Sequence, residues 1–176
     1  YGGAALTVPE LRADFDGIEH ADSVIIDPHK WLFAPFDCCA LLWRDPELAR
    51  AVHTQHAGYL DFLNEYGGWN PSDFAIHLTR RARGLPFWFS LATYGTDAYA
   101  EAVRATVSVA EKAAAMVEEA GHLRLVWARH LSIVVFERIG WEAADYQAWT
   151  VAAMRAGTAF VVPSIHDDRP VLRFCF

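Results

Sequence analysis

The segment Ala21-Asp-Ser-Val-Ile-Ile-Asp-Pro-His-Lys-Trp-Leu-Phe33 constrains this chain more than any other stretch, because it sets a lysine between apolar runs. Val24, Ile25 and Ile26 precede Lys30; Trp31, Leu32 and Phe33 follow it, and a third apolar run reaches from Cys38 to Trp43. Ser23 to Ile26 reads as a continuous apolar strand, the pattern expected inside a sheet covered on both faces. Pro28 holds Asp27 extended and helps end that strand just before Lys30. The chain has two lysines, and Lys112 sits on an alanine-rich helical stretch that needs no special account. Lys30 is instead expected in desolvated surroundings, where burial favours the nucleophilic free amine. A desolvated lysine after a strand, beside His29, suits Schiff-base chemistry with a carbonyl compound. The competing reading is a turn lysine whose stem packs and whose head reaches water.

Around this segment the elements alternate. Pro9 to Arg12 opens a short helix or turn, and Ala40 to Trp43 is the next strand. Asp45-Pro46-Glu47 is a helix start, with proline in the first turn and acidic groups at the positive dipole end. Glycines, Asn70 and Pro71 punctuate an aromatic-rich region from Ala57 to Asp73, which reads as a long irregular loop of the kind that forms lids. Leu85-Pro86 opens a helical segment through Tyr94. Thr96 or Asp97 then caps a long helix to about Ala120, with Gly121 as its stop. Ile133–Glu137, Ala159–Val162 and Val171–Phe176 read as strands and Ala143–Ala156 as a helix. The order predicts an α/β first part over 1–85 and a smaller α+β second part over 86–176.

Charge and cysteine content narrow the function classes. A net charge of -7 argues against nucleic acid or an anionic membrane as partner. No apolar run is long enough to span a bilayer. Three cysteines, two of them adjacent, suggest reduced thiols and a cytoplasmic setting rather than a disulfide framework. Seven tryptophans and eleven phenylalanines point to a large core, an oligomeric interface, or both. His53-x-x-His56 has helical spacing but no third ligand in a convincing pattern, so no metal is expected. Tyr-Gly-Gly-Ala lacks dinucleotide-loop spacing.

The run Ser23 to Trp31, followed by Phe36-Asp37-Cys38-Cys39-Ala40, resembles the cofactor-lysine motif of the group II pyridoxal-phosphate-dependent amino-acid decarboxylases. That family includes the aromatic amino-acid, histidine, glutamate and diaminobutyrate enzymes. The resemblance continues through Tyr1 to Ala5, Thr79-Arg80-Arg81, Trp88-Phe89 with Tyr94-Gly95, and Val162-Pro163 with Val171 to Phe174. It implies a fold-type-I transferase-like architecture: the later part of the large domain, with a mixed sheet, plus a truncated small domain. It further implies pyridoxal 5'-phosphate as cofactor, with Lys30 as its anchor and later a proton carrier. Asp27, His29 and Thr79 are implied near the phosphate, and His29 also among the catalytic groups. Tyr59 is implied as the acid that protonates the carbanion once carbon dioxide leaves, with Tyr66 as its rival.

The expected reaction is decarboxylation of an L-amino acid to a primary amine, in a homodimer with an interfacial site. Both ends look cut, and the family's pyridine-pairing aspartate and ring-stacking histidine would precede Tyr1, so the fragment alone is expected to be inactive. Alternatives are an aldehyde-forming relative, a lyase or aminotransferase of the same fold, or an inactive interaction fragment. The aldehyde-forming members carry Phe in place of the loop tyrosine, so Tyr59 argues against the first.

Overall fold

Branched and apolar residues make strand β1 (Ser23–Ile26), and a second apolar run makes β2 (Ala40–Trp43). The two pair antiparallel, Ser23 opposite Trp43 and Ile26 opposite Ala40. The computed structural model describes residues 1–65 and 70–176 and divides them into two compact units, Tyr1–Tyr99 and Ala100–Phe176. The division falls inside the long helix Gly84–Glu119.

In the first unit the chain enters through three short 3-10 turns, Gly2–Thr7, Pro9–Phe15 and Ile18–His20. A side-chain carbon on Gly3 would sit 3.0 Å from Ile26 Cγ1, so only glycine lets the first turn lie this close to β1. Ala4, Ala5, Val8, Trp31, Leu32 and Cys38 form the buried interior. β1 is not covered on both faces, contrary to the sequence expectation. It belongs to a two-stranded hairpin, and Ile25 is 60% exposed.

Helix α1 (Pro28–Trp31) is a single turn, and α2 (Pro46–His53) starts as read, with the Asp45 carboxylate accepting from the Glu47 N–H at 3.0 Å. Residues Gly58–Glu65 form α3, so the region read as one irregular loop contains two helical turns. Beyond it a 3-10 turn, Pro71–Phe74, buries the Asp73 carboxylate against the Arg50 guanidinium of α2, 3.4 Å away. Helix α4 (Gly84–Glu119) breaks at Gly95, whose φ of 76° and ψ of 164° are open to glycine alone. This break matches the two helices expected on either side of Gly95.

The second unit is an antiparallel sheet in the order β3-β4-β6-β5, formed by Leu123–Leu125, Ile133–Arg138, Arg169–Cys175 and Ser164–His166. Its apolar face packs with the later part of α4 and with α5 (Ala143–Arg155) around Val117, Val134, Phe136, Tyr146, Val161 and Leu172. Each such side chain, fully buried, contributes at most about 1.5–3 kcal/mol. A reciprocal capping box fixes the start of α5: Glu142 accepts from the third-position backbone, and Asp145 accepts from the Glu142 N–H at 2.9 Å. The strand expected at Ala159–Val162 lies instead at Ser164–His166. Asp167 and Asp168, with φ of 47° and 59°, make the two-residue turn that pairs it with β6.

Candidate active site around Lys30

Lys30 stands near the end of α1, in the loop that joins β1 to β2. Its side chain is 54% exposed, so the apolar sequence around it does not bury the amine. On this short turn Trp31 and Leu32 go into the interior while Lys30 faces outward. The Lys30 ammonium donates to Asp27 Oδ2 at 2.6 Å, three residues upstream. The hydrogen bond from Lys30 is the main reason the Asp27 carboxyl titrates below its usual range; the Lys30 charge and a hydrogen bond from Cys39 act in the same direction.

Two further groups close the loop. His29 Nδ1 accepts from the Cys38 backbone N–H at 3.1 Å and also touches the Cys38 carbonyl. The His29 ring meets Phe36 edge-on, with centroids 5.2 Å apart. His29 is thus bound to the loop's own backbone, which is the structural role open to any histidine in this position. Asp37 holds two guanidiniums at once: Arg81 at 2.7 Å and Arg83 at 3.1 Å. Burial pushes the Asp37 carboxyl up, but the Arg83 hydrogen bond, its own backbone and both arginine charges outweigh it and leave it lowered. Sequence reading passed over this clamp because nothing in the spacing of Asp37 and Arg81 announces their contact.

Arg80 and Arg81 flank a recess of about 720 Å³, together with Cys39, Trp43, His77 and Arg83. Arg80 donates to the Pro71 carbonyl at 2.6 Å, and Thr79 beside it is exposed. Tyr59 is the second residue of α3 and is 70% exposed. Its hydroxyl joins none of the hydrogen bonds around Lys30, so the structure gathers Asp27, His29 and Lys30 and leaves Tyr59 and Thr79 outside that cluster. Tyr66 lies outside the described residues.

The cluster fits an aldehyde-bearing, phosphate-bearing cofactor. It offers a reachable primary amine on a loop fixed at both ends, and the recess that Cys39 of this loop lines also carries Arg80, Arg81 and Arg83, the last two paired with Asp37. Among the described residues no group of three or more His, Cys, Asp or Glu is placed to hold a metal ion.

Comparison with known proteins agrees with this chemistry. The family model described as "Pyridoxal-dependent decarboxylase conserved domain" matches residues 1–139. Histidine decarboxylase of Mus musculus is 29% identical over 99% of this chain, and tyrosine decarboxylase 4 of Petroselinum crispum is 36% identical over 77% of it. The chain spans 26% and 27% of the length of those two relatives. A crystal structure of Oryza sativa TDC with PLP and tryptamine superposes at a TM-score of 0.89, with 28% identity, over 99% of this chain and 38% of that one. Its fold type is the one the sequence motifs implied. By the extent of the family match, the chain belongs to the pyridoxal-dependent decarboxylase family.

Proposed function

We propose that the enzyme to which this chain contributes decarboxylates an L-amino acid, releasing a primary amine and carbon dioxide, with pyridoxal phosphate held on Lys30. The observation that carries this reading is the exposed Lys30 amine, presented on a turn fixed by Asp27, His29 and Cys38. When bound, the cofactor supplies the aldehyde that takes the amine and a ring that accepts electrons from the substrate.

The chain's own residues have three tasks in this reading. Lys30 anchors the cofactor and, once displaced by the substrate's amine, stays near enough to carry a proton. Asp27 is the anion that receives the Lys30 ammonium at 2.6 Å. Tyr59 hands a proton to the substrate's α-carbon, a role that needs α3 to bring its exposed hydroxyl to the site. His29 and Thr79 are placed by the same reading at the cofactor phosphate; for His29 the Nδ1 contact with Cys38 sets the ring's orientation. The enzyme further acts as a homodimer in the cytoplasm, a setting supported by three cysteines free of disulfides. No helix among the described residues is long and apolar enough to cross a membrane.

The test is made on the full-length protein. It should absorb beyond the protein band when given pyridoxal phosphate, and borohydride reduction with peptide mapping should leave the pyridoxyl group on Lys30. Carbon dioxide release from an amino-acid panel identifies the substrate. An adduct on Lys112 alone, or none, overturns the assignment.

A further inference from the structure

We infer that Asp37 is a positioning residue for Lys30: its carboxylate ties the lysine loop to Arg81 and Arg83, and through His29 that tie sets where the amine stands. The inference rests on the reading of Lys30 as the cofactor anchor and gives a role to an ion-pair cluster which that reading leaves unused.

The first observation is the geometry of the tie. One oxygen, Oδ1, accepts from Arg81 Nη2 at 2.7 Å, and the other, Oδ2, pairs with Arg83 Nε at 3.1 Å. A carboxylate held at both oxygens is fixed in direction as well as in distance. A tight turn spaces the two arginines, the Arg83 N–H donating to the Arg81 carbonyl at 2.8 Å. A single exposed ion pair contributes little, but a carboxylate shared by two guanidiniums is a small network that keeps one partner when the other swings away.

The second observation is where Asp37 stands. Both of its neighbours in the chain rest on His29: the Phe36 ring meets the imidazole edge-on at 5.2 Å, and the Cys38 N–H donates to Nδ1 at 3.1 Å. His29 directly precedes Lys30 within the single turn of α1. Any displacement of Asp37 therefore pulls on both contacts of the residue beside the lysine.

The third is reach. The Lys30 bond to Asp27 spans three residues, and the Ala34 N–H donates to the Pro28 carbonyl at 2.9 Å within the same loop. Those bonds shape the loop from inside. Asp37 and Arg81 lie 44 positions apart, so their bond fixes the loop against another part of the first unit. An amine on a loop that wanders spends less of its time where an aldehyde can meet it. Asp37 touches no reacting atom; it acts on the lysine through His29.

The experiment uses the full-length protein, with pyridoxal phosphate and borohydride trapping as the amine probe, iodoacetamide as the thiol probe, and peptide mapping for both. In Asp37→Ala, trapping on Lys30 should slow severalfold, and the buried Cys38 should alkylate severalfold faster. Asp37→Glu keeps both acceptor oxygens and should return both rates toward the parent values. Arg81→Ala removes a side chain that is 74% exposed, so it opens no cavity; it should shift both rates in the same direction by less. Added to Asp37→Ala, it should change nothing further. Asp22→Ala breaks the Asp22–Arg44 ion pair of the same hairpin and should leave both rates unchanged.

A merely stabilising ion pair would lower the urea midpoint and leave Lys30 and Cys38 in the folded protein as they were. Parent-like rates in Asp37→Ala, no recovery in Asp37→Glu, or effects of Asp37→Ala and Arg81→Ala that simply add would overturn the inference. Should Asp37→Ala fail to fold, Arg81→Ala decides, and unchanged Cys38 alkylation there overturns it. Absence of any Lys30 adduct in the parent protein would sink the proposed function, while Cys38 alkylation still reads the tie. An adduct on Lys30 that forms equally fast in Asp37→Ala would sink this inference alone.

Discussion

Replacing Tyr146 by Phe isolates one buried hydroxyl in the second unit. Tyr146 is 1% exposed; its hydroxyl accepts from the Arg138 backbone N–H at 2.9 Å and lies 3.4 Å from the Arg138 carbonyl. The ring stays in Phe, so its edge contact with Trp141, centroids 5.3 Å apart, is preserved and no large cavity opens. What is lost is one well-formed hydrogen bond at the end of β4, and a part-buried N–H is left without its partner. Stranding such a donor costs about 1–3 kcal/mol, and the 3.4 Å contact adds little. One to three kcal/mol corresponds to a factor of roughly 5–150 in a local opening equilibrium. Native-state hydrogen exchange reads this at the Arg138 amide itself. That amide should exchange faster by about this factor in Tyr146→Phe, with the inner β4 amides of Val134 and Val135 changing less. Tyr146→Ala is the comparison, since loss of a buried aromatic ring costs about 3–5 kcal/mol. Unchanged Arg138 exchange in Tyr146→Phe, or a loss as large as in Tyr146→Ala, would refute the assignment of the hydroxyl to that backbone group.

Other outcomes follow from the same geometry. Gly95→Ala forces a side chain into φ 76° and should destabilise the protein by about 1–3 kcal/mol in urea unfolding, whereas Gly84→Ala, at a position with open space and no positive φ, should be near neutral. The Asp27 carboxyl is lowered in the folded protein, so its pairing with Lys30 is present in full above the ordinary value of 3.8 and is lost only as pH falls through the lower folded value. Carboxyl NMR should therefore show Asp27 still ionised at 3.8, with Lys30→Met moving the midpoint upward; a midpoint at or above 3.8 in the parent protein contradicts the ion pair. In the intact enzyme Tyr59→Phe should retain cofactor uptake and lose amine formation by on the order of 10²–10⁴, and normal amine production would remove Tyr59 from the proton transfer.

Much of the local order was legible because single residues enforce it. Pro28, Asp45-Pro46 and Gly95 each permit few backbone conformations, and β1, α2 and the break in α4 begin or end where those residues say. The motif, not hydrophobicity, is what singles out Lys30 and its neighbours in the sequence. Flanking apolar residues suggested burial, yet a one-turn helix sends Trp31 inward, where its ring meets that of Tyr1 edge-on at 5.4 Å, and Lys30 outward, a choice set by that packing rather than by local sequence. The region after Ala57 misled because its glycines masked two turns of helix beginning at Gly58. Pro163 and the Asp167-Asp168 turn displace the strand read at Ala159 to Ser164–His166. Long-range partners such as Asp37 with Arg81 leave no periodic trace at all.

Because the lysine loop is closed by residues facing each other across a ladder, its length and its registration obey different rules. Extra residues inserted between Phe33 and Phe36 would enlarge a loop whose ends are already held by the Ile26–Ala40 pair and by His29 with Cys38. Doubling such a loop adds only about 0.6 kcal/mol of closure entropy. A single residue removed from β2 is another matter. It would shift side chains of that strand to the opposite face and bring a different residue across from Ile26. Variants in loop length should thus survive among working descendants of this hairpin, while frame changes within its four-residue strands should not.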